Sequence, residues 1–480
     1  MNYPPSKTNP RPYQIEAWNR SMVLPKGYYY GLDCGTGKTK CAIDYSNGFF
    51  SKMVLIVCPN SVIPVWPEQF DIHSGREFEC IYFEKKISIA QKAGIIKSEI
   101  ERLQKAEQNI ALILNYEAFW RPPIGPTVGK KSKILDKGLL MAYLWDLIIY
   151  DEAHRLQTPG SKQSWGAKHL RPKAKRVLML SGTPFDKKEN MYAQLRALDP
   201  DIFGTSYTSF KNRYCIMGGF DGRQIVKYIN EDEFNKKIAD IMYVVKRHDV
   251  LDLLPVSHEN RYCNLSPKIE KIYKDLEKEF IAEVLDDTIT ASNALTKLLR
   301  LSQLCCGIVQ FDEKDHPVML DSAKMDTVKE IVEDIPIEEP IVVFGVFTPE
   351  LLMLKKTIEG AGRTCAELSG KMNQLKDWQD GKFNTLICQI QSGKEGIDLT
   401  RACYQIYSST GCNLKTYEQS LARTDRSGQT KSVTYYHVIT SRTVDVKIAN
   451  SLKNKKDVSE SVIAEIKKLK ADMAQNKKAA

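Results

Sequence analysis

Short runs of apolar residues alternate with helical patterns in two separate blocks of the chain. Such continuous runs are typical of parallel strands covered on both faces, so the alternation predicts an α/β fold. The predicted strands of the first block are 28–32, 53–58, 78–83, 110–114, 147–150 and 176–180. Those of the second block are 341–344, 385–389, 405–407 and 433–437. With 480 residues the chain is also too long for one typical core.

The segments outside these blocks predict helical additions to two lobes. Residues 189–247 are predicted to be helical with breaks and to protrude from a first lobe over 1–250. A second lobe over 251–455 is predicted to carry a helical insertion at about 266–310, and 456–480 to form a helical tail. An apolar stripe at helical spacing, predicted to pack inside the protein, is formed by Ile269, Ile272, Tyr273, Leu276 and Phe280.

Composition sets only broad limits. The net charge of +10 fits a polyanionic partner without identifying one. No apolar run is long enough to span a bilayer, and residues 1–12 lack an apolar signal core, so we expect a cytoplasmic protein. The twelve cysteines contain no Cys-x-x-Cys pair, which disfavours a zinc site and predicts buried free thiols such as Cys58 and Cys388.

A glycine-rich segment follows the first predicted strand. Its residues are Cys34, Gly35, Thr36, Gly37, Lys38 and Thr39. Glycines let backbone N–H groups face phosphate oxygens above a helix N-terminus, which predicts an ATP phosphate loop. Lys38 would reach the β- and γ-phosphates, and the Thr39 hydroxyl would bind Mg²⁺. Leu32 departs from the usual pattern, which has glycine at that position.

Two adjacent carboxylates, Asp151 and Glu152, end the apolar run 147–150. The carboxyl ends of strands in an open α/β sheet are where ligands bind. Asp151 is therefore predicted to hold magnesium, and Glu152 to orient and activate the attacking water. A phosphate loop followed by such an acidic pair predicts an ATP hydrolase.

A third motif, in the second block, contains Gln419, Arg423 and Arg426. On a helix, residues three and four apart share a face, so these side chains are predicted to point together. Two guanidinium groups on one face suit the charge that spreads over phosphate oxygens during transfer. We expect the second lobe to supply them to the ATP, so that hydrolysis changes the arrangement of the lobes.

In this order the motifs resemble those of helicase superfamily two, and within it the Swi/Snf-type chromatin-remodelling ATPases and their compact bacterial and phage relatives. The resemblance implies two tandem RecA-like lobes with mostly parallel sheets and helical protrusions between them. Segment 11–14 is similar to the adenine-recognition motif, which implies nucleotide contacts from Arg11 and Gln14. Segment 180–184 is similar to the motif that links hydrolysis to movement, and the resemblance assigns coupling to His154, Ser181 and Gln419.

The resemblance also implies a path for DNA. Segment 392–399 is similar to the glycine-rich coupling motif, which implies nucleotide contacts from Gly396 and Asp398. The phosphate contacts that it implies are Asn60, Asn115, Thr183, Ser392 and Gly393. Small polar groups of this kind track a backbone without reading its sequence. A Lys-rich loop predicted at 121–137 either adds an electrostatic grip or is a solvated cluster, formed by Arg121, Lys130, Lys131, Lys133 and Lys137.

These features favour an ATP- and Mg²⁺-dependent motor that moves on double-stranded DNA, in replication, repair or remodelling of protein–DNA complexes. A strand-separating DNA or RNA helicase and a DNA-binding scaffold with a decayed ATPase are the competing hypotheses. The sequence has no base-reading module, so a protein partner for targeting stays open, with a monomer the favoured state.

Overall fold

The computed structural model describes residues 3–83, 87–128, 134–136, 138–185, 187–218, 224–251, 254–285, 291–309, 317–320, 322–393, 397–426, 428–454 and 458. The chain divides into two compact units, residues 1–252 and 253–480. Each unit is a RecA-like lobe with one main parallel sheet, which confirms the predicted fold class. Apart from Val458, the predicted tail lies outside the described residues. The finer lobe and insertion borders stay predictions.

Unit 1 contains eleven strands and nine helices in its described part. The strands are β1 (Gly27–Leu32), β2 (Met53–Cys58), β3 (Glu79–Ile81), β4 (Ile110–Asn115), β5 (Thr127–Val128), β6 (Ile134–Asp136), β7 (Trp145–Asp151), β8 (Ala174–Leu180), β9 (Cys215–Gly218), β10 (Gln224–Tyr228) and β11 (Met242–Val245). The helices are α1 (Pro12–Met22), α2 (Lys38–Gly48), α3 (Val65–His73), α4 (Ile89–Lys105), α5 (Lys162–Leu170), α6 (Glu189–Leu198), α7 (Tyr207–Tyr214), α8 (Glu231–Ile241) and α9 (Arg247–Val250).

The main sheet of unit 1 has the order β11-β1-β8-β7-β2-β4-β3, and every pairing in it is parallel. Five of the six strands predicted in this block are almost wholly buried, as expected for continuous apolar runs. These strands are β1, β2, β4, β7 and β8. All six lie where the sequence predicts them, with borders that differ by at most two residues. The core is therefore built from the residues that carried the prediction.

Two local predictions for unit 1 are wrong. The segment 189–247 contains the helices α6, α7 and α8, but also the hairpin β9–β10 and the edge strand β11. β11 forms because its backbone pairs in parallel with β1, beginning with Met242 opposite Tyr29, and this tertiary pairing overrides the helical pattern around it. The segment 121–137 is likewise not all loop, since β5 and β6 pair within it.

Unit 2 contains eight strands and seven helices in its described part. The strands are β12 (Val256–Cys263), β13 (Ile308–Val309), β14 (Val318–Met319), β15 (Ile341–Gly345), β16 (Cys365–Leu368), β17 (Thr385–Gln389), β18 (Tyr404–Tyr407) and β19 (Val433–Thr440). The helices are α10 (Pro267–Leu285), α11 (Ala291–Cys305), α12 (Ala323–Asp334), α13 (Thr348–Gly360), α14 (Leu375–Gln379), α15 (Leu414–Leu421) and α16 (Val444–Lys453).

The main sheet of unit 2 has the order β12-β19-β18-β15-β17-β16 and is again parallel throughout. The four predicted strands form its centre, and the sequence missed β12 and β16 at its two edges. The predicted apolar stripe lies on α10, where Ile269, Tyr273 and Phe280 are buried in one cluster with residues of α11 and α16. This stripe packs inside the unit, as predicted.

A buried ionic network crosses unit 2 between α12, α13 and α16. The Lys324 ammonium lies 2.7 Å from the Asp445 carboxylate and donates to the Ser408 carbonyl. The Glu350 carboxylate accepts from the hydroxyls of Ser408 and Ser409, each at 2.7 Å. Both oxygens of Glu350 and the Lys324 nitrogen therefore have hydrogen-bond or ionic partners, which buried charges need to offset the loss of water.

All twelve cysteines are free thiols, and Cys58 and Cys388 are buried in strands as expected. Burial raises the pKa of Cys41 to about 12, so this thiol stays protonated. Within the described ranges, none of the helices combines the length and apolar character needed to cross a bilayer.

Candidate ATP and nucleic-acid site

The predicted motifs of unit 1 lie at one edge of its main sheet. The phosphate loop follows β1, segment 180–184 follows β8, and the acidic pair ends β7, and these three strands are neighbours in the order β1-β8-β7. Because all three strands are parallel, their carboxyl ends meet at the same edge. Of the predicted DNA contacts, Asn60 follows β2 and Asn115 is the last residue of β4, and these are the next two strands along that edge. The edge therefore has a nucleotide half and an adjoining half with amide side chains.

The phosphate loop has the backbone that its glycines predict. Gly35 and Gly37 have φ angles of 82° and 79°, in the left-handed region that side chains disfavour. A Cβ atom on Gly37 would lie 2.6 Å from Nε2 of Gln14, so this position also excludes a side chain by contact. α2 begins at Lys38, directly after the loop, and presents its N-terminus to it. The Lys38 ammonium donates to the Leu32 carbonyl at 3.0 Å.

The start of α1 is bound to the phosphate loop by two side chains. The Gln14 amide accepts from the backbone N–H of Arg11 at 2.9 Å and donates to the Thr36 carbonyl at 3.2 Å. The Tyr13 phenol donates to the same carbonyl at 2.9 Å. The structure thus brings Arg11 and Gln14 to the loop, and the contact of Gln14 with a base stays a prediction. Tyr13, which the sequence analysis missed, adjoins Gln14 in the same motif.

The two carboxylates of the acidic pair, Asp151 and Glu152, are buried next to each other. Asp151 and Glu152 are 6% and 7% exposed. Burial, together with the neighbouring charge of Glu152, raises the pKa of Asp151 to about 7, although Lys38 opposes this rise. The Tyr116 phenol donates to the Asp151 carbonyl at 2.9 Å. Glu152 has a φ of 54°, an uncommon backbone conformation for a residue with a side chain, which is typical of functional sites.

A short polar chain joins the acidic pair to the segment after β8. The His154 ring nitrogen Nδ1 lies 3.2 Å from a Glu152 carboxylate oxygen and 3.1 Å from the Ser181 hydroxyl. The same hydroxyl accepts from the backbone N–H of Thr183 at 3.1 Å. The structure therefore brings together His154 and Ser181, two of the three residues predicted to couple hydrolysis to movement.

The edge strand β11 adds basic residues to the phosphate loop that the sequence analysis did not place there. The Asp33 backbone N–H donates to the Val245 carbonyl, and the Asp33 carboxylate accepts from the Arg247 backbone N–H, both at 3.1 Å. The Lys246 ammonium lies 3.7 Å from the same carboxylate. Lys246 and Arg247, which follow β11, are thus bound to the beginning of the loop. Only the pairing of β11 with β1 reveals this contact.

The predicted DNA contacts of unit 1 differ in exposure. Asn60 is exposed and its side-chain oxygen accepts from the Asn115 amide at 3.0 Å, so these two residues form one polar pair. The Thr183 hydroxyl oxygen is buried and has no hydrogen-bond partner in the described part of the chain. Arg121 is exposed, with its guanidinium 5.3 Å from the Trp120 ring centre. The four lysines predicted to act with it, Lys130, Lys131, Lys133 and Lys137, lie outside the described residues.

Unit 2 places Ser392 and Gly393 in a turn directly after β17. Their backbone N–H groups both donate to the Gln389 carbonyl, at 2.8 and 3.0 Å. A Cβ atom on Gly393 would lie 2.8 Å from both the Cys388 sulfur and the Phe344 ring, so the turn needs glycine there. Gly396, a predicted nucleotide contact, lies outside the described residues.

The predicted helical face that carries both arginines is wrong. Gln419 lies on α15 and is buried, but this helix ends two residues before Arg423, and Arg426 lies in the turn that follows. The Arg423 backbone N–H bonds to the Ser420 carbonyl, three residues back, at 3.2 Å, while its own carbonyl accepts from the Leu399 N–H. This bond draws the chain away from the helix towards segment 397–399, which ends the helical spacing.

Arg426 instead contacts the glycine-rich segment of its own unit. Its guanidinium lies 3.8 Å from the Asp398 carboxylate and donates to the Ile397 carbonyl at 3.5 Å. Asp398, predicted to contact the nucleotide, is half-exposed and also accepts from the Thr400 hydroxyl at 2.6 Å. Arg423 is buried, with 6% exposure. The third motif therefore begins on α15 and continues into turns, and it does not form one helix face.

The residues of unit 1 fit a magnesium ion. Asp151 is a buried carboxylate with a raised pKa, and a divalent cation bound to it would offset the repulsion from Glu152. The Thr39 hydroxyl on α2 is partly exposed and follows Lys38 in the loop. Carboxylate and hydroxyl oxygens are ligands that magnesium prefers. Among the described residues no group of three or more His, Cys, Asp or Glu side chains could hold a metal.

Comparison with protein families identifies a family model that covers most of unit 1 and the beginning of unit 2. A family model described as the SNF2-related domain matches residues 16–308, which is more than half of the chain. This region includes the phosphate loop, the acidic pair, segment 180–184 and the protrusion.

Similar proteins occur in bacteria and yeast. The chain is 23% identical to YwqA of Bacillus subtilis, named as an ATP-dependent helicase/translocase, over 96% of this chain and 50% of that protein. It is also 23% identical to the DNA repair and recombination protein RDH54 of Saccharomyces cerevisiae, over 86% of this chain and 45% of that protein. The chain thus spans about half the length of these relatives. The Hef helicase domain of Pyrococcus furiosus has the same fold, with a TM-score of 0.55 and 15% identity over 92% of this chain and 98% of that chain.

Proposed function

Because the chain belongs to the SNF2-related domain family, we propose that it is a motor that translocates on double-stranded DNA. The chain is an ATP hydrolase of the helicase-like class, and ATP is its nucleotide. Movement on duplex DNA, rather than strand separation, is the finer step of the proposal. The coupling of hydrolysis to movement is supported by the polar chain from Glu152 through His154 to Ser181, which joins the acidic pair to the segment that contains the predicted DNA contact Thr183.

The residues of unit 1 have separate tasks in this proposal. Lys38 and the backbone N–H groups of the phosphate loop bind the β- and γ-phosphates, and Arg11 and Gln14 lie against the base. Thr39 and Asp151 would hold magnesium, which neutralises phosphate charge during transfer. Glu152 orients the attacking water and accepts its proton.

The arginines of unit 2 have a role in turnover rather than in binding. We propose that Arg423 and Arg426 stabilise the charge that develops on the transferring phosphoryl group. Their contacts in the present structure, from Arg426 to Asp398 and from the Arg423 carbonyl to Leu399, link them to segment 397–399. A change in this segment would therefore change the position of the guanidinium groups. Gly396 and Asp398 belong to the same nucleotide-responsive segment in this proposal.

DNA is the proposed polyanionic partner. Asn60 and Asn115 form an exposed amide pair that suits phosphate oxygens, and in unit 2 the partly exposed Ser392, next to Gly393, offers a hydroxyl of the same kind. A relative named for DNA repair and recombination supports DNA over RNA. Such contacts follow a backbone without reading bases, which a translocating motor requires.

The test is an ATPase assay with duplex DNA, single-stranded DNA, forked DNA and RNA, in parallel with displacement of a triplex third strand. We expect duplex DNA to stimulate hydrolysis most and the third strand to be displaced only with ATP. Lys38→Ala is the control and should abolish both activities. Unwinding of forked DNA without triplex displacement would support the helicase alternative, and ATPase activity that is indifferent to both DNA and Lys38→Ala would refute the motor.

A further inference from the structure

We propose that Gln194 is a positioning residue that transmits DNA binding to the ATP site, an inference that rests on the proposed function. Gln194 lies on α6, the first helix after segment 180–184, and has no solvent exposure. None of the sequence motifs includes it. Its side chain nevertheless forms hydrogen bonds with two elements outside α6, the segment that ends at Pro184 and the strand β1.

The contacts of Gln194 fix both ends of its amide. The nitrogen donates to the Pro184 carbonyl at 2.8 Å and to the Asn190 carbonyl at 3.1 Å. The oxygen accepts from the Tyr29 phenol at 2.8 Å. Because carbonyl oxygens only accept hydrogen bonds, the nitrogen must face Pro184 and Asn190, and the oxygen must face Tyr29. The amide therefore has one orientation, with all its strong hydrogen bonds formed.

Tyr29 connects this amide to the catalytic edge. It lies on β1, the strand that leads into the phosphate loop, and it is fully buried. Burial and the nearby charge of Glu152 raise the pKa of its phenol well above the ordinary value, so it stays a neutral donor. Its hydrogen bond to Gln194 thus holds α6 against the strand beneath the ATP site.

Pro184 connects the amide to the predicted DNA contact. It directly follows Thr183, and segment 181–184 is held at its other end by the bond from Ser181 to His154. Proline has no N–H group, so its carbonyl is its one backbone hydrogen-bonding group. Gln194 and His154 consequently fix the two ends of a four-residue segment, one towards α6 and one towards Glu152. A displacement of this segment by DNA must change at least one of these two bonds.

An amide at this position does more than fill space. An apolar side chain of similar volume would pack in the same site without requiring three hydrogen-bond partners. The particular effect of the amide donor is to fix Pro184 to α6, whereas the bond from Tyr29 only orients the amide. Removing the donor should therefore uncouple DNA binding from hydrolysis while the packing stays nearly unchanged.

Three substitutions separate this role from stability. Gln194→Met and Gln194→Leu keep most of the volume and remove every hydrogen bond of the side chain. Tyr29→Phe is the matched control, because it removes the third bond in the same buried site and leaves the link from Gln194 to Pro184. The full-length variants are compared by thermal unfolding, DNA-free ATPase rate, KM for ATP, the maximal rate with duplex DNA and the DNA concentration that gives half of it.

We expect both Gln194 variants to keep the DNA-free rate, the KM for ATP and the half-saturating DNA concentration. Their stimulation by DNA should fall by about fivefold or more, the low end of typical coupling between sites, whereas Tyr29→Phe should keep most of it. Should Gln194→Met fail to fold, the smaller Gln194→Leu decides. Wild-type stimulation in a folded Gln194 variant, or an equal loss in Tyr29→Phe, overturns the inference and leaves the proposed motor intact. A wild-type protein that DNA does not stimulate refutes the motor and this inference together.

Discussion

Replacing Asp151 with asparagine should make the nucleotide-free protein more stable and inactive. The folded carboxyl keeps its proton up to about pH 7, because burial and the charge of Glu152 oppose ionisation. In the unfolded chain an aspartate releases its proton near pH 4. The folded state therefore binds more protons between these values, and the wild-type free energy of unfolding falls as the pH rises. The Asp151→Asn variant would carry no such penalty.

The size of the effect follows from the pKa. From about pH 5 to about pH 8 the wild-type protein should lose up to about 3 kcal/mol relative to the variant. For a unit of this size that is a difference of roughly 6 to 12 °C in melting temperature. The measurement is thermal unfolding of both proteins without nucleotide at the two pH values. The same variant should lose the stabilisation that magnesium and ATP give the wild-type protein.

Asp146→Asn is the control within the same strand. Burial raises the pKa of Asp146, but hydrogen bonds from Lys175 and from the backbone of Met53 and Lys52 outweigh it, and the net pKa is lowered. Its charge therefore stabilises the fold above the ordinary pKa, and Asp146→Asn should lower the melting temperature at about pH 8. If Asp151→Asn raises the melting temperature equally at both pH values, or lowers it, then Asp151 is not a buried carboxylate whose charge destabilises the fold.

Three further outcomes are expected. Glu152→Gln should bind ATP and duplex DNA like the wild-type protein but lower kcat by about 100-fold or more in steady-state assays, and a wild-type kcat would contradict its assignment. Arg426→Ala should lower kcat by about 10³-fold with little change in ATP affinity measured by equilibrium binding, so a defect in affinity alone would speak against its role. Lys324→Met should destabilise unit 2 by about 3–5 kcal/mol in denaturant unfolding, because it leaves the Asp445 carboxylate buried without its ammonium. The double variant with Asp445→Leu should recover most of that loss, and equal instability of both would contradict this explanation.

The central strands could be predicted from the sequence because strands buried on both faces consist mainly of apolar residues. The borders of β2 match their prediction because this strand is apolar along its whole length. The edge strands β11 and β12 have no such signal. β12 exposes most of its residues, and β11 has only four, so pairing with a neighbour defines them rather than their own pattern. Edges depend on contacts that are distant in the chain.

The parts of the candidate site that could be predicted are those whose geometry depends on residues close together in the sequence. The left-handed glycines of the phosphate loop and the buried pair Asp151 and Glu152 follow from local sequence. The prediction that both arginines share a helix face was wrong because α15 ends before them. The Leu399 N–H, 24 residues earlier in the chain, donates to the Arg423 carbonyl, and no glycine or proline in the sequence marks this helix end. Gln194 likewise has no motif, and only its three partners identify it.

The arrangement around β1 has a consequence for how this unit can change. The chain leaves the main sheet at β8 and returns at β11, which flank the same strand, and the hairpin β9–β10 between them pairs only with itself in the described structure. Beyond α6, length and shape can therefore vary without shifting the register of any strand in the main sheet. New surfaces can be added there, by evolution or by grafting, while the strand that carries the phosphate loop keeps both its neighbours.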